Sequence, residues 1–362
     1  MQLSARAVVA VALAALAFAL AFGPPPAARA DGELSFATAY YKERATRVMQ
    51  PMLDARFDVG ESGEATGHML VDAITSASVG VGGELFEEKR VEGGATYTHE
   101  IDLYKIGGLV RYSTEPDYKS LFGGVRLQAE LFDRNLTITA AGMVGHDDFD
   151  NSGAGPTAPR REGELDTMLG SIGLAQLLSP NTVASVTYDV SKLEGEQANL
   201  YRFIITAGMQ VDEKHPRSRL RHAVAGTVKQ FLPRSVTTLM GTYRFYHDDW
   251  DITAHTPEAR VIQDVGDGSL FAVRYRYHRQ SKAYFFEDDY AMPMDLISED
   301  EKLSAFTSHT IGASFEMSGH VIGFTGTLGE TRGQIVIEYV DQNNRFGNAI
   351  AAHASLTVPI TY

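Results

Sequence analysis

The chain closes on an alternation that few folds can use. From Gly347 to Tyr362, the residues Ala352, Ala354, Leu356, Val358, Ile360 and Tyr362 alternate with His353, Ser355, Thr357, Pro359 and Thr361. A period of two gives an extended strand one apolar face and one small, polar face. Soluble domains usually end in a frayed polar tail, whereas this run keeps its pattern to the last residue and stops on an aromatic. A bacterial outer-membrane barrel closes on such a strand, its terminal aromatic sitting in the interfacial girdle. The expectation is an all-β fold, a transmembrane antiparallel β-barrel.

The same period recurs through the chain, and no stretch reads as an amphipathic helix. Strands are expected at 33–42, 50–60, 64–75, 97–105, 107–114, 119–131, 135–147 and 164–178. Eight more follow at 182–193, 219–231, 235–247, 251–264, 269–280, 306–317, 332–341 and 348–362. That is about 16 strands, with 14 or 18 as the alternatives. Short turns at Asp133-Arg134-Asn135, Ser179-Pro180-Asn181, Pro233-Arg234 and Gly266-Asp267-Gly268 all fall on one side of this numbering. The long connectors 76–96, 148–163, 194–218 and 281–305 all fall on the other, as short periplasmic turns and long external loops require. Leu200 to Val211 is expected to hold a hairpin within its loop.

The faces separate cleanly. Phe271, Val273, Tyr275 and Tyr277 oppose Arg274, Arg276, His278 and Gln280, and Val125, Leu127, Ala129 and Leu131 oppose Arg126, Gln128 and Glu130. A sandwich also alternates, but it buries its apolar face in protein; the girdle aromatics and the chain end favour lipid.

The N-terminus fits export. Arg6, the apolar run Ala7 to Phe22 and the A-x-A triplet Ala28-Arg29-Ala30 make residues 1–30 a secretory signal peptide cleaved after Ala30, leaving 31–362 as the barrel. The run is short for a spanning helix, and Pro24-Pro25-Pro26 ends it. The chain has no cysteine, which excludes disulfides, thiolate metal sites and c-type haem. Its formal net charge of −14, more negative still without Arg6 and Arg29, argues against nucleic acid as a partner.

If lipid covers the apolar face, the charged face lines a wetted lumen. The candidate pore-lining residues are Asp54, Arg56, Asp58, Asp72, Glu100, Asp102, Arg126, Glu130, Arg221, Arg244, Arg260, Arg274, Arg276 and His278. The acids gather in the first half of the chain, while Arg221, Lys229, Arg244, Arg260, Arg274 and Arg276 gather on expected strands ten to thirteen. In a closed ring those groups face one another and set a field across the lumen. The competing expectation is a lumen filled by cross-paired charges.

At the outer rim, carboxylate pairs Asp147-Asp148, Asp248-Asp249 and Asp288-Asp289 follow outward-running strands. They are weak candidates for a divalent cation bridging lipopolysaccharide; solvated rim residues are the blander reading. No cofactor is implied. An outer-membrane hydrolase would draw on His255, His278, Asp248 and Asp249, but no motif unites them. Gly80 to Gly83 has no following helix and is no phosphate cradle.

Several clusters carry a resemblance. They are Tyr41-Lys42-Glu43 with Val48 to Pro51, Asp72 to Ser78, and Ser113-Thr114-Glu115-Pro116-Asp117-Tyr118. Further along come Arg219 with Arg221-His222-Ala223, Tyr243 to Tyr246 leading to Asp248-Asp249-Trp250, His255-Thr256, and Arg274 to Tyr277 with Gln280. With these the chain resembles an uncharacterised family of Gram-negative outer-membrane barrels, a domain of unknown function. The resemblance implies a barrel in the outer membrane and no established substrate.

The functional expectation is a porin-like channel or transport protein passing small hydrophilic solutes. A non-conducting barrel docking an envelope complex is the alternative. Outer-membrane lipid, lipopolysaccharide and the barrel-assembly machinery, reading the strand that ends at Tyr362, are the expected partners.

Overall fold

The computed structural model describes residues 31–361 except 45, 78–84 and 155–158. The expected signal peptide, the Gly80 to Gly83 stretch and Tyr362 therefore lie outside the described residues. Strand β1 (Asp31–Lys42) is followed by β2 (Thr46–Val59), β3 (Gly63–Ala77), β4 (Leu85–Ile101) and β5 (Tyr104–Thr114). Next come β6 (Tyr118–Leu131), β7 (Leu136–Asp150), β8 (Glu162–Ser179) and β9 (Thr182–Gly195). A short hairpin, β10 (Phe203–Thr206) and β11 (Met209–Asp212), interrupts the series. The second half holds β12 (Ser218–Leu232), β13 (Thr237–Asp248), β14 (Thr253–Gly266) and β15 (Ser269–Gln280). It ends with β16 (Phe306–Ser318), β17 (Arg332–Gln342) and β18 (Ala349–Thr361).

Every strand except β10 and β11 joins one closed antiparallel ring of sixteen. The last strand does the closing: β18 pairs with β1 from Asp31↔Thr361 to Lys42↔Ile350. Closure matters because hydrocarbon offers no hydrogen-bond partner, so an open edge inside a bilayer would leave backbone groups unsatisfied at several kcal/mol each. On one side of this seam the Ser35 and Thr357 hydroxyls meet at 2.9 Å.

Which face is inside follows from contacts that skip a strand. Arg274 on β15 reaches Glu338 on β17 at 2.5 Å, passing over β16. Gly312 leaves the room, since a Cβ there would stand 3.0 Å from the Glu338 carboxylate. Arg260 on β14 likewise reaches the Ser314 hydroxyl on β16 at 3.4 Å. Side chains converge this way only on the concave face of a curved sheet. The charged face is the lumen, and the opposite face carries Val273, Leu127 and Ile337 at 44, 50 and 58% exposure. An all-round apolar surface of that kind is what lipid covers, not water.

The connector expected over 76–96 is shorter than that. Strand β4 begins at Leu85 and stays in register with β3 from Ala77↔Leu85 to Gly63↔His99. Lys89 on its outward face, with charged Arg90 and Glu92 on its inward face, hides this strand from a search for apolar alternation. At the opposite end, the 318–331 connection folds into two 3-10 turns, Gly319–Ile322 and Gly326–Leu328.

The packed apolar core lies outside the ring. The segments 196–217 and 281–305 fold together as an outer cap, linked by the bridge Lys214↔Ile297. Trp250, Ile252, Ala283, Phe285, Phe286 and Leu303 form one buried cluster, and Ile204, Tyr290 and Ile297 another. The hairpin within the cap turns at Ala207-Gly208 with φ of 49° and 75°. Two successive left-handed residues suit a two-residue hairpin loop, and glycine relieves the strain at the second. The cap is tied to its neighbours by Tyr201 hydrogen-bonding Asp117 and by Arg345 bridging Glu301 at 3.2 Å.

Candidate functional site: the charged lumen and its outer cap

In a ring of sixteen, strands eight places apart face each other, so β2 to β5 stand opposite β12 to β15. The acid-rich and arginine-rich walls expected from the sequence are thus across the lumen from one another.

The acid-rich wall is largely paired within itself. Asp54 meets His68 at 2.5 Å, Glu100 meets Lys105 at 3.0 Å and Glu130 meets Arg134 at 3.3 Å. Arg56 bridges Glu64 at 3.1 Å and Glu33 at 3.5 Å. Glu92 gathers Arg111 at 3.4 Å and the His68 ring at 3.9 Å. Among the described residues Asp58 makes no ion pair.

The basic wall keeps more charge. Glu258 serves Arg276 at 2.7 Å and Arg274 at 3.8 Å, and Glu338 holds Arg274. Arg221, Lys229, Arg244 and Arg260 make no ion pair among the described residues. The Arg244 guanidinium lies 5.6 Å from the Tyr246 ring centre, a cation–π contact that leaves its charge in place. His278 accepts or donates at Thr256, 2.9 Å away. Arg126 faces the lumen on β6, also without an ion pair among the described residues. The net arrangement is a wall of unpaired cations facing a wall whose acids are largely paired with neighbours, so the charges facing one another across the ring are mostly those of β12 to β15. Local pairing wins because partners one strand apart are within about 5 Å, whereas the two walls stand on opposite sides of the ring.

Two expected lining residues sit elsewhere. Asp102 lies in the turn between β4 and β5 with φ of 55°, at the short-turn mouth rather than along the wall. Asp72 is 1% exposed and held by Arg90 at 2.6 Å, so it is sealed into the wall. A buried carboxylate keeps its charge only with such a partner.

The rim carboxylates do not gather. Asp147 and Asp148, being neighbours on a strand, point to opposite faces. Asp248 is fully buried and spends both oxygens structurally. One accepts from Trp250 and Ile252 backbone amides at 3.1 and 2.9 Å, and the other takes Arg219 at 2.5 Å. Asp249 accepts from the Leu220 amide at 3.0 Å, and Asp288 lies 4.0 Å from Arg345, with Asp289 beside it in the cap. No group of three or more histidines and carboxylates suited to a metal occurs among the described residues. The hydrolase set fails for the same reason of facing: His255 is on the lipid side, where it meets Tyr243 at 2.6 Å, and His278 is in the lumen.

The polar heart of the cap is absent from the sequence-based expectations. Glu213 is 2% exposed and receives hydrogen bonds from Ser298 at 2.6 Å and Arg202 at 3.2 Å, with His215 3.4 Å away. Asp300 completes the group, 3.1 Å from Arg202. Burial alone would raise the Glu213 carboxyl; the His215 hydrogen bond, the Arg202 charge and the Ser298 hydroxyl outweigh it and hold it at about 2. No sequence motif announces this cluster, since its members are drawn from two distant loops. Glu258 was findable, because Thr256, Glu258 and Arg260 share one face by simple alternation.

Residues 157–324 match the family described as "Protein of unknown function (DUF3570)". The resemblance to an uncharacterised family therefore has a defined extent, from the end of the β7–β8 connection to the short-turn side of β16. No curated protein matches the chain significantly. Among solved structures, a bacterial polysaccharide outer membrane secretin aligns with a TM-score of 0.56 at 5% identity, covering 91% of this chain and 98% of that one. Acinetobacter baumannii OccAB1 aligns at 0.42 and 8% identity, over 94% and 98% of the two chains. Pseudomonas aeruginosa OprD aligns at 0.46 and 9% identity, over 92% and 95%. At such identities the likeness is one of fold: a closed antiparallel barrel of the outer-membrane type.

Proposed function

We propose that the barrel is a porin-like channel for small hydrophilic solutes, with the β12–β15 wall setting a preference for anionic ones. The observation that carries this reading is the row of lumen-facing cations without carboxylate partners, Arg221, Lys229, Arg244 and Arg260, in a chain whose overall charge is −14. A wetted passage lined by fixed charge of one sign concentrates the opposite sign. Planar-bilayer recording of purified protein tests it. Stable ohmic steps with anion preference are expected, and Arg221→Glu with Arg244→Glu should move that preference toward cations. Silence at high protein load would sink the channel.

A second reading has its own support. The cap packs a protein-like core over the outer mouth, as a docking barrel without conduction would. Deleting 200–212 should then switch a silent protein to a conducting one, whereas a channel conducts before and after.

The proposal extends to export and assembly. Residues 1–30 act as a signal peptide cleaved after Ala30, releasing 31–362. The outer membrane is the destination, with lipopolysaccharide around the outer half of the barrel. The barrel-assembly machinery reads the strand ending at Tyr362.

A further inference from the structure

The outer ends of β14, β15 and β16 enclose a recess of about 460 Å³ on the lipid-facing side, within the roughly 300–1,000 Å³ typical of ligand pockets. Its walls include Thr253, His255, Arg279, Thr307 and Asn343, and no carboxylate lines it. In so acidic a chain, that exclusion is informative.

Register explains how the recess is built. Arg279 stands between His255 on β14 and Thr307 on β16, all on the outward face. Arg279 makes no ion pair among the described residues, whereas another surface arginine, Arg160, is held by Asp150 at 2.9 Å. The Tyr243 hydroxyl meets His255 Nδ1 at 2.6 Å. With the phenol donating, Nε2 carries the ring proton and is left as a free donor. Asn343 Oδ1 accepts from the Thr307 amide at 2.8 Å, which leaves its amide NH₂ as donor. Three different side chains thus offer hydrogens, and one of them a fixed positive charge.

Height decides the partner. Directly below on the same face come Tyr277, Tyr275 and Val273, then the apolar band. A recess just beyond an aromatic girdle sits level with lipid head groups. We infer that the His255–Arg279–Asn343 recess binds the phosphate of an outer-leaflet lipid head group, Arg279 giving the bidentate contact that guanidinium makes to phosphate. This site is on the outside of the wall and is independent of whether the lumen conducts.

The test uses full-length protein in phosphatidylcholine nanodiscs doped with lipid A, and native mass spectrometry to count retained lipid A. Wild type should retain lipid A at least ten times more strongly than its dephosphorylated form. Arg279→Glu with His255→Ala should abolish that difference, while Arg279→Lys keeps part of it. Lys119→Glu, on the same face of the distant β6, should leave it intact. Heat-modifiable migration on gels checks that each variant is a folded barrel. Undiminished retention by the folded double variant overturns the site, and so does an equal loss in Lys119→Glu. Inorganic phosphate displacing lipid A stoichiometrically would assign the recess to a soluble anion and overturn the lipid assignment.

Discussion

In the wall of the barrel, Ile311 and Val125 keep 60 and 61% of their surface exposed; in the cap, Ile204 and Ile297 keep 1 and 0%. The same kinds of side chain are used in opposite ways a few turns of chain apart. Among the described residues, the wall shows no packed apolar cluster of its own. Its order comes from a closed ladder of backbone hydrogen bonds, and its apolar residues are satisfied by hydrocarbon. The cap stands in water beyond the bilayer and must bury its own apolar surface to fold. It therefore carries a packed cluster around Trp250, a short hairpin of its own and, in Glu213, a carboxylate buried among several partners from two loops. Cap and wall are stabilised by different physics and should fail separately.

The largest separation is expected from Glu213→Ala. Removing one member of a buried charged cluster typically costs about 3–5 kcal/mol, because Arg202 and His215 are left without the carboxylate between them. Hydrogen exchange should rise sharply over 197–217 and 285–303 while β12 to β15 stay protected. Equal loss of protection in those strands would show that cap and wall are one cooperative unit. Val273→Arg should do the reverse. An arginine on the lipid face costs about 2–4 kcal/mol near the bilayer midplane. Denaturant unfolding in vesicles should record that loss with the cap unaltered.

Acid should also divide the two regions. The Glu213 carboxyl is held below its unfolded value, so its stabilising contribution is complete above the ordinary value of 4.5 and disappears as pH falls toward about 2. The chain has a single tryptophan, and Trp250 lies in the cap core, so its fluorescence reports the cap alone. A red shift between pH 4.5 and 2 is expected, with the sheet circular dichroism unchanged; Glu213→Gln should remove the acid transition. Smallest in stability is Arg244→Ala, within about 0.5 kcal/mol because the side chain is exposed to the lumen. Its effect should appear in ion selectivity instead.

Much of the wall is legible in the chain's alternation. Val273/Arg274 and Leu127/Arg126 announce their faces through a period of two, and the turn at Gly266-Asp267-Gly268 sits where expected. The part that escapes is β4 from Leu85 to about Thr96, where Lys89 puts a charge on the outward face while Arg90 and Glu92 point inward to Asp72 and His68. The lumen site is half legible. Alternation assigns Arg221, Arg244, Arg260, Arg274 and Arg276 to one wall. It cannot reveal that Glu338 reaches Arg274 over Gly312, since that contact skips a strand. Asp102 and Asp72 are misplaced by it because alternation does not report where a turn begins or how deep a side chain sits. Asp248 has the look of a cation ligand and is a buried turn anchor for Arg219, Trp250 and Ile252.

The ring, its facing and its approximate strand number are written along the chain, because a side-chain period of two is a local property and each strand displays it independently. Which charges neutralise one another, which remain for a passing solute, and that two loops join as a cap are settled only when the folded chain brings them together. Those outcomes depend on distances between residues far apart in the chain, and Coulomb and packing energies answer to distance in space rather than along the sequence.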